Sequence, residues 1–227
     1  MKKLILIPCA LAALALPSTA SARVIELGAN AGPAKSNCPK DPCEAIGRVT
    51  GYQGRSGTKR TPFVIPRKGK IVAFTVTLAD VTDQQISFFN DLYGGEASVR
   101  LSILRRGKKR SQRKDHRLIR QSPTYDVGDF FGASPSFALD RPLPVRKNYI
   151  VALTVPTWAP AFAFSGLTGG NWWRSSRQKG ECRDATRRAA HTRRRSVVKY
   201  GCTYHRARLL YTATYVPDPR PTNQRRR

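Results

Sequence analysis

Wherever this chain is apolar it is apolar at every second residue, which is the period of a strand with one buried face. Between Lys70 and Asp80, Val72, Phe74, Val76 and Leu78 fall on one side while Ala73, Thr75 and Thr77 fall on the other. Val99, Leu101 and Ile103 alternate with Arg100 and Ser102. Tyr149, Val151, Leu153 and Val155 alternate with Ile150, Ala152 and Thr154, and Leu209, Tyr211, Ala213 and Tyr215 alternate with Leu210, Thr212 and Thr214. Weaker strands are predicted at 24–27, 48–53, 62–65, 117–122, 136–139 and 197–204, between turn signals such as Pro66-Arg67-Lys68-Gly69, Gly94-Gly95 and Arg146-Lys147-Asn148. A single short helix is predicted at Asp83–Tyr93, capped by Thr82 or Asp83, with Ile86, Phe89 and Tyr93 on one side and Gly94 as its stop. Many strands joined by turns, with hardly a helix, specify an all-β chain: a single-domain antiparallel β-sandwich of jelly-roll type.

The first residues have the parts of a cleavable secretory leader in the right order. Lys2 and Lys3 form a positive start and residues 4–16 an apolar run too short to span a bilayer, which takes roughly 20 residues. Pro17 breaks the helix, and Ala20-Ser21-Ala22 offers the small side chains a signal peptidase accepts. Residues 1–22 are therefore expected to be removed, Cys9 with them, leaving a domain over 23–216 and a basic disordered tail over 217–227. No later stretch is apolar enough to be a span. Lys2 and Lys3 are the only charged residues before Arg23, so the formal charge falls from +27 to +25. Such an excess speaks of partners and solubility, not of fold.

Four cysteines remain in an oxidising compartment: Cys38, Cys43, Cys182 and Cys202. They admit three pairings. Proximity favours Cys38 with Cys43 and Cys182 with Cys202, the second clipping a long basic excursion. The rival is a four-cysteine zinc site, for which neither pair has the usual two-residue spacing.

Three stretches carry a resemblance: Thr61-Pro-Phe-Val-Ile-Pro-Arg-Lys-Gly-Lys-Ile-Val-Ala-Phe, Leu143-Pro-Val-Arg-Lys-Asn-Tyr-Ile-Val-Ala-Leu-Thr-Val-Pro, and Asp41-Pro-Cys-Glu-Ala-Ile-Gly-Arg-Val-Thr-Gly-Tyr-Gln. They resemble secreted β-sandwich, jelly-roll-like proteins of unknown function from high-GC Gram-positive bacteria. These are scaffold motifs, and the resemblance spans most of the chain after the leader. It implies a jelly-roll-like fold and an extracellular setting, and carries over no catalytic residue. One departure is Asn148, where that pattern commonly has a Gly-Asp turn; Asn also tolerates the left-handed conformation, so the turn survives.

Two sets of residues are candidates for function. The first is basic: Arg105, Arg106, Lys108, Lys109 and Arg110, continuing through Arg113, Lys114 and Arg117, is expected to form a solvated hairpin loop between two strands. Arg187, Arg188, Arg193, Arg194 and Arg195 lie inside the Cys182–Cys202 interval, and a disulfide there could bring both groups onto one positive surface. That surface would attract extracellular polyanions such as wall polymers and acidic polysaccharides, and nucleic acid only non-specifically. A solubilising face is the plainer reading. The second set is aromatic: Trp158, Asn171, Trp172, Trp173, Arg174 and Arg177 could stack and hydrogen-bond a sugar, although a core Trp is the commoner case. Neighbours in a strand point to opposite faces, so Trp172 and Trp173 cannot share one core.

Catalytic sets are poor. His116, His191 and His205 lack metal-ligand spacing and read as surface residues. The Gly-x-Ser-x-Gly elbow is absent, and Glu96, Asp126 and Asp129 have no fixed separation in sequence terms. No catalytic residue, metal or cofactor is assigned. The expectation is a secreted binding protein, with two alternatives: a polysaccharide-active hydrolase or lyase on the same scaffold, or a structural protein of the cell surface.

Overall fold

The computed structural model describes residues 23–29 and 34–219; the expected leader, and the expected tail beyond Pro219, lie outside them. The chain forms β1 (Ile25–Leu27), β2 (Ile46–Ser56), β3 (Lys59–Arg60), β4 (Gly69–Val76), α1 (Asp83–Tyr93), β5 (Ser98–Arg106), β6 (Asp115–Gln121) and β7 (Tyr125–Asp126). It continues through β8 (Ser136–Val145), β9 (Tyr149–Ala159), β10 (Phe162–Ala163), β11 (Trp172–Ser175), β12 (Val197–Lys199), β13 (Cys202–His205), β14 (Arg208–Leu209) and β15 (Tyr211–Pro217). This is one mostly-β domain with one short helix. β10 and β14 pair as a two-stranded sheet, and of the two main sheets the smaller has the order β1-β15-β4-β8. The larger one, β12-β6-β5-β9-β2-β11-β13, is curled and open, a half-barrel.

Both sheets bury their alternating residues in one shared cluster. Phe74, Val76, Ala213 and Tyr215 come from the smaller sheet, and Val99, Leu101, Ile103, Val151, Leu153 and Val155 from the larger. The alternation holds in β5, β9 and β15 as the sequence predicts. In β4 it slips: Ile71 is fully buried while Val72 is only half-buried. The register with both neighbours shifts at Val72, and the extra residue of such a bulge throws the following side chains to the other face. Helix α1 has the predicted bounds, with Thr82 and Gln85 closing a reciprocal capping box and Gly94 left-handed at its end. Asn148 takes the expected left-handed turn, at φ 68°.

Other expectations change. Residues 62–65 form no strand beyond a single bridge from Val64 to Ile150. The stretch 197–204 is two strands on opposite edges of the larger sheet, β12 on β6 and β13 on β11. Strand β15 includes Pro217, and Asp218 pairs with Lys68 at 3.1 Å. Cysteines pair as Cys38–Cys43 and Cys182–Cys202, which removes the zinc alternative.

The second disulfide clips a strap, residues 176–201, across the outer face of the larger sheet. Ser176 bonds to Thr50 on β2, the His191 amide donates to Thr50 Oγ1, Leu118 on β6 donates to Ser196, and Tyr200 donates to Lys114. Beneath the strap a second cluster forms from Tyr52, Leu104, Leu118, Ile150, Ala152 and Tyr200.

Candidate functional site

The aromatic set does not assemble into one site. Trp158 is fully buried; its Nε1 donates to Asn90 Oδ1 at 2.8 Å, and its ring lies 5.0 Å from Phe89 and 5.5 Å from Phe131. It is the wall against which α1 packs, which is why it is not free to stack on a ligand. Trp173 faces the core, stacked on Tyr204 at 4.4 Å. Asn171 is buried and structural, its Oδ1 accepting from the Gly57 amide at 3.2 Å. Arg177 is 6 % exposed and donates to Gly47 O, Ala185 O and the Tyr204 hydroxyl, tying the strap to β2 and β13. Only Trp172 and Arg174 remain together on the outer face, half-exposed, with the guanidinium 5.8 Å from the indole centroid. The expected split of Trp172 and Trp173 onto opposite faces is correct.

Two histidines that the sequence assigns to the surface are instead under the strap, His116 at 0 % and His191 at 2 % exposure; His205 is exposed. His116 Nδ1 bonds Lys114 O at 2.8 Å, so it carries the proton, and Nε2 accepts from the Tyr52 hydroxyl at 3.1 Å. Ser196 donates to Arg193 O, so His191 Nε2 donates to Ser196 Oγ at 2.9 Å and Nδ1 accepts from the Tyr200 hydroxyl at 3.3 Å. Loss of water pushes the His116 pKa down to about 3, with Arg106, Arg174 and His191 adding repulsion, and it lowers His191 too. Beside them a hydroxyl row crosses four strands: Thr50 to Thr154 at 2.8 Å, Thr154 to Ser102 at 2.6 Å, and Ser102 to Gln121 at 3.2 Å. Sequence reading missed this layer because its members look like the solvent face of alternating strands. It is satisfied and closed to solvent, so its role is to seat the strap.

Glu96, Asp126 and Asp129 are all exposed. Among the described residues no group of three or more His, Cys, Asp or Glu is placed to hold a metal ion. No helix there is long and apolar enough to cross a membrane.

The basic set does converge, in part. Arg105 and Arg106 end β5, and Lys108, Lys109, Arg110, Arg113 and Lys114 fill the exposed loop to β6, which contains a short 3-10 turn at Arg110–Gln112. Arg193, Arg194 and Arg195 arrive alongside: the Arg195 amide donates to Leu118 O at 2.9 Å, and β12 then pairs with β6. Arg187 and Arg188 do not join them. Arg187 pairs with Glu181 at 3.0 Å, and the next residue after Arg188, Ala189, bonds Arg48 on β2, at the far end of the strap. Two further cations do join, Arg146 and Lys147 in the β8–β9 turn, which in the sequence registers only as a turn signal. The pairing of β9 with β5 carries that turn to the hairpin, with Tyr149 opposite Arg105.

Two depressions result. One, of about 410 Å³, is lined by Arg105, Arg106, Lys108, Lys109 and Arg117 with Val197 and Asp115. The other, of about 530 Å³, shares Arg105, Arg106 and Lys108 and adds Arg146, Lys147 and Tyr149. Among the described residues none of these cations is in an ion pair.

Comparison of the chain with protein-family models, with curated proteins and with solved structures finds no match.

Proposed function

We propose that this is a secreted, non-catalytic protein that binds an anionic polymer of the cell envelope or its surroundings, an acidic polysaccharide or wall polymer among them. The observation that carries the reading is the gathering of the β5–β6 hairpin and the β8–β9 turn around two adjoining depressions with few carboxylates, with Arg195 O held against Arg117 beside them. Cations held at one end of the larger sheet without carboxylate partners favour polyanions through counterion release and long-range attraction. Trp172 beside Arg174 favours a polymer that includes sugar, since the open face of a half-exposed indole can stack on a sugar. The jelly-roll sandwich belongs to the same proposal. Its support is the single apolar cluster built by both sheets, together with the resemblance to secreted β-sandwich proteins.

Affinity chromatography on an acidic polysaccharide at low and high salt tests the function. Retention at low salt and release by about 1 M salt is expected, because screening reaches ~3 Å there. No retention on any wall polymer, acidic glycan or nucleic acid at low salt overturns the reading. Export has its own test: protein recovered from the growth medium should begin at Arg23 by mass spectrometry, and a cell-retained chain that keeps residues 1–22 contradicts it.

A further inference from the structure

We infer that Arg105 and Arg117 together form a seat for a tetrahedral oxyanion, a phosphate or sulfate ester carried on a linear polymer. This rests on the polyanion reading above and names the group that its basic edge grips. Arg105 on β5 stands directly opposite Arg117 on β6, so both side chains leave the same face of the sheet. Like charges at directly opposed positions destabilise a sheet. Both are exposed, and among the described residues neither forms an ion pair. The fold therefore holds a repulsive pair that an anion between the two guanidinium groups would relieve.

The surroundings keep that pair in place. Arg117 Nη1 donates to Arg195 O at 2.7 Å, which anchors one side of the guanidinium. Arg195 itself is held left-handed, at φ 68°. The cross-strand row runs on from Arg117 to Val197 and from Arg105 to Tyr149, so an apolar and an aromatic side chain flank the two cations. Val197 is 51 % exposed and lines the first depression with them. Arg105 lines both depressions, so a polymer passing from one to the other crosses the pair.

The geometry of the donors selects the anion. One guanidinium fork is satisfied by the paired oxygens of a carboxylate, whereas a phosphate or sulfate ester offers oxygens in more than one plane and can accept from both forks together. Lys108 and Lys109 add attraction without that selectivity.

The experiment compares binding of inorganic polyphosphate, dextran sulfate and polyglutamate of matched charge to the purified protein at fixed salt. Arg105→Gln/Arg117→Gln is set against Arg110→Gln/Arg113→Gln, which removes equal charge from the same hairpin. The first variant is expected to lose roughly tenfold in affinity for polyphosphate and dextran sulfate but only about as much for polyglutamate as the control. The unliganded melting temperature of Arg105→Gln alone should not fall below that of the parent, since a repulsion is removed while the Arg117–Arg195 hydrogen bond stays. Arg105→Lys/Arg117→Lys keeps the charge and loses the forks, and should lose the preference for the tetrahedral groups even if the glutamine pair folds poorly. The ranking of polyphosphate against dextran sulfate separates phosphate from sulfate. Equal losses for the first variant and the control on all three polymers overturn the seat and leave the polyanion reading standing. Failure of the parent to bind any of the three at low salt overturns both.

Discussion

Gly54 is a glycine because Trp172 occupies the space where its side chain would be: a Cβ there would lie 2.0 Å from the far edge of the indole. The ring is thereby laid flat on β2, next to Arg174, and stays half-exposed. Gly54→Ala should lift it. Since Trp158 and Trp173 are buried and unaffected, the expected result is a red shift in tryptophan emission with a stability loss of about 1 kcal/mol, at the low end of overpacking. Unchanged emission would mean that the ring is not seated there. His116 makes the second prediction at this scale. Its pKa is about 3 in the folded chain and near 6.5 when unfolded, so between those values the unfolded state binds the extra proton. Its contribution to stability is thus complete above about pH 6.5 and is lost as pH falls toward 3, by up to ~1.4 kcal/mol per pH unit. Denaturant titrations from pH 7 to pH 4 should show a shallower fall for His116→Gln than for the parent. Parallel slopes would show that His116 is not desolvated. His191 adds to the same trend, its pKa also being lowered.

Among the elements, the strap behaves differently from the strands it covers. It contributes the short β12, a set of hydrogen bonds and the buried Arg177, His191 and Tyr200, and the Cys182–Cys202 link, with a sequence separation of 20, closes it. Replacing both cysteines by serine should cost about 3 kcal/mol by the loop-entropy estimate. It should also speed amide exchange at His191 and Ser196 more than in β5 and β9, measured by hydrogen–deuterium exchange. A uniform increase would mean that the strap and sheet open as one unit. The strap also explains which elements were legible in the sequence. β5, β9, β15 and α1 follow from residues close in sequence: a two-residue period, or a cap and a stop separated by one helix length. The outer layer does not. Thr50, Ser102, Thr154 and His116 sit at positions that local alternation assigns to solvent, and only a segment distant from them along the chain covers them. The short β3, β7, β10 and β14 span two residues each, too few for any period to register.

For the whole molecule, the charge excess acts on every element together. A chain with a formal charge of +27 repels itself when compact, and salt screens that repulsion. Raising sodium chloride from about 10 mM to 500 mM should therefore raise the melting temperature, by about 2–4 °C for each ~1 kcal/mol of repulsion screened. A fall in melting temperature would place the net electrostatic balance with attractive pairs instead. The composition alone supports that prediction, as it supports the all-β class and the even cysteine count, because each depends on sums or on neighbours a few residues apart. Composition could not say which cations meet. The basic end joins residues 105–117 and 146–147 because antiparallel pairing of β5 with both β6 and β9 brings distant turns to one end of one sheet, and the pairing of β12 with β6 lays Arg195 beside Arg117. Contacts of the strap with β2 and β13 hold Arg187 and Arg188 elsewhere and bury Arg177. Local periodicity fixes what a residue's own strand will bury; which strands lie side by side is a long-range choice, and the proposed site is made at that level.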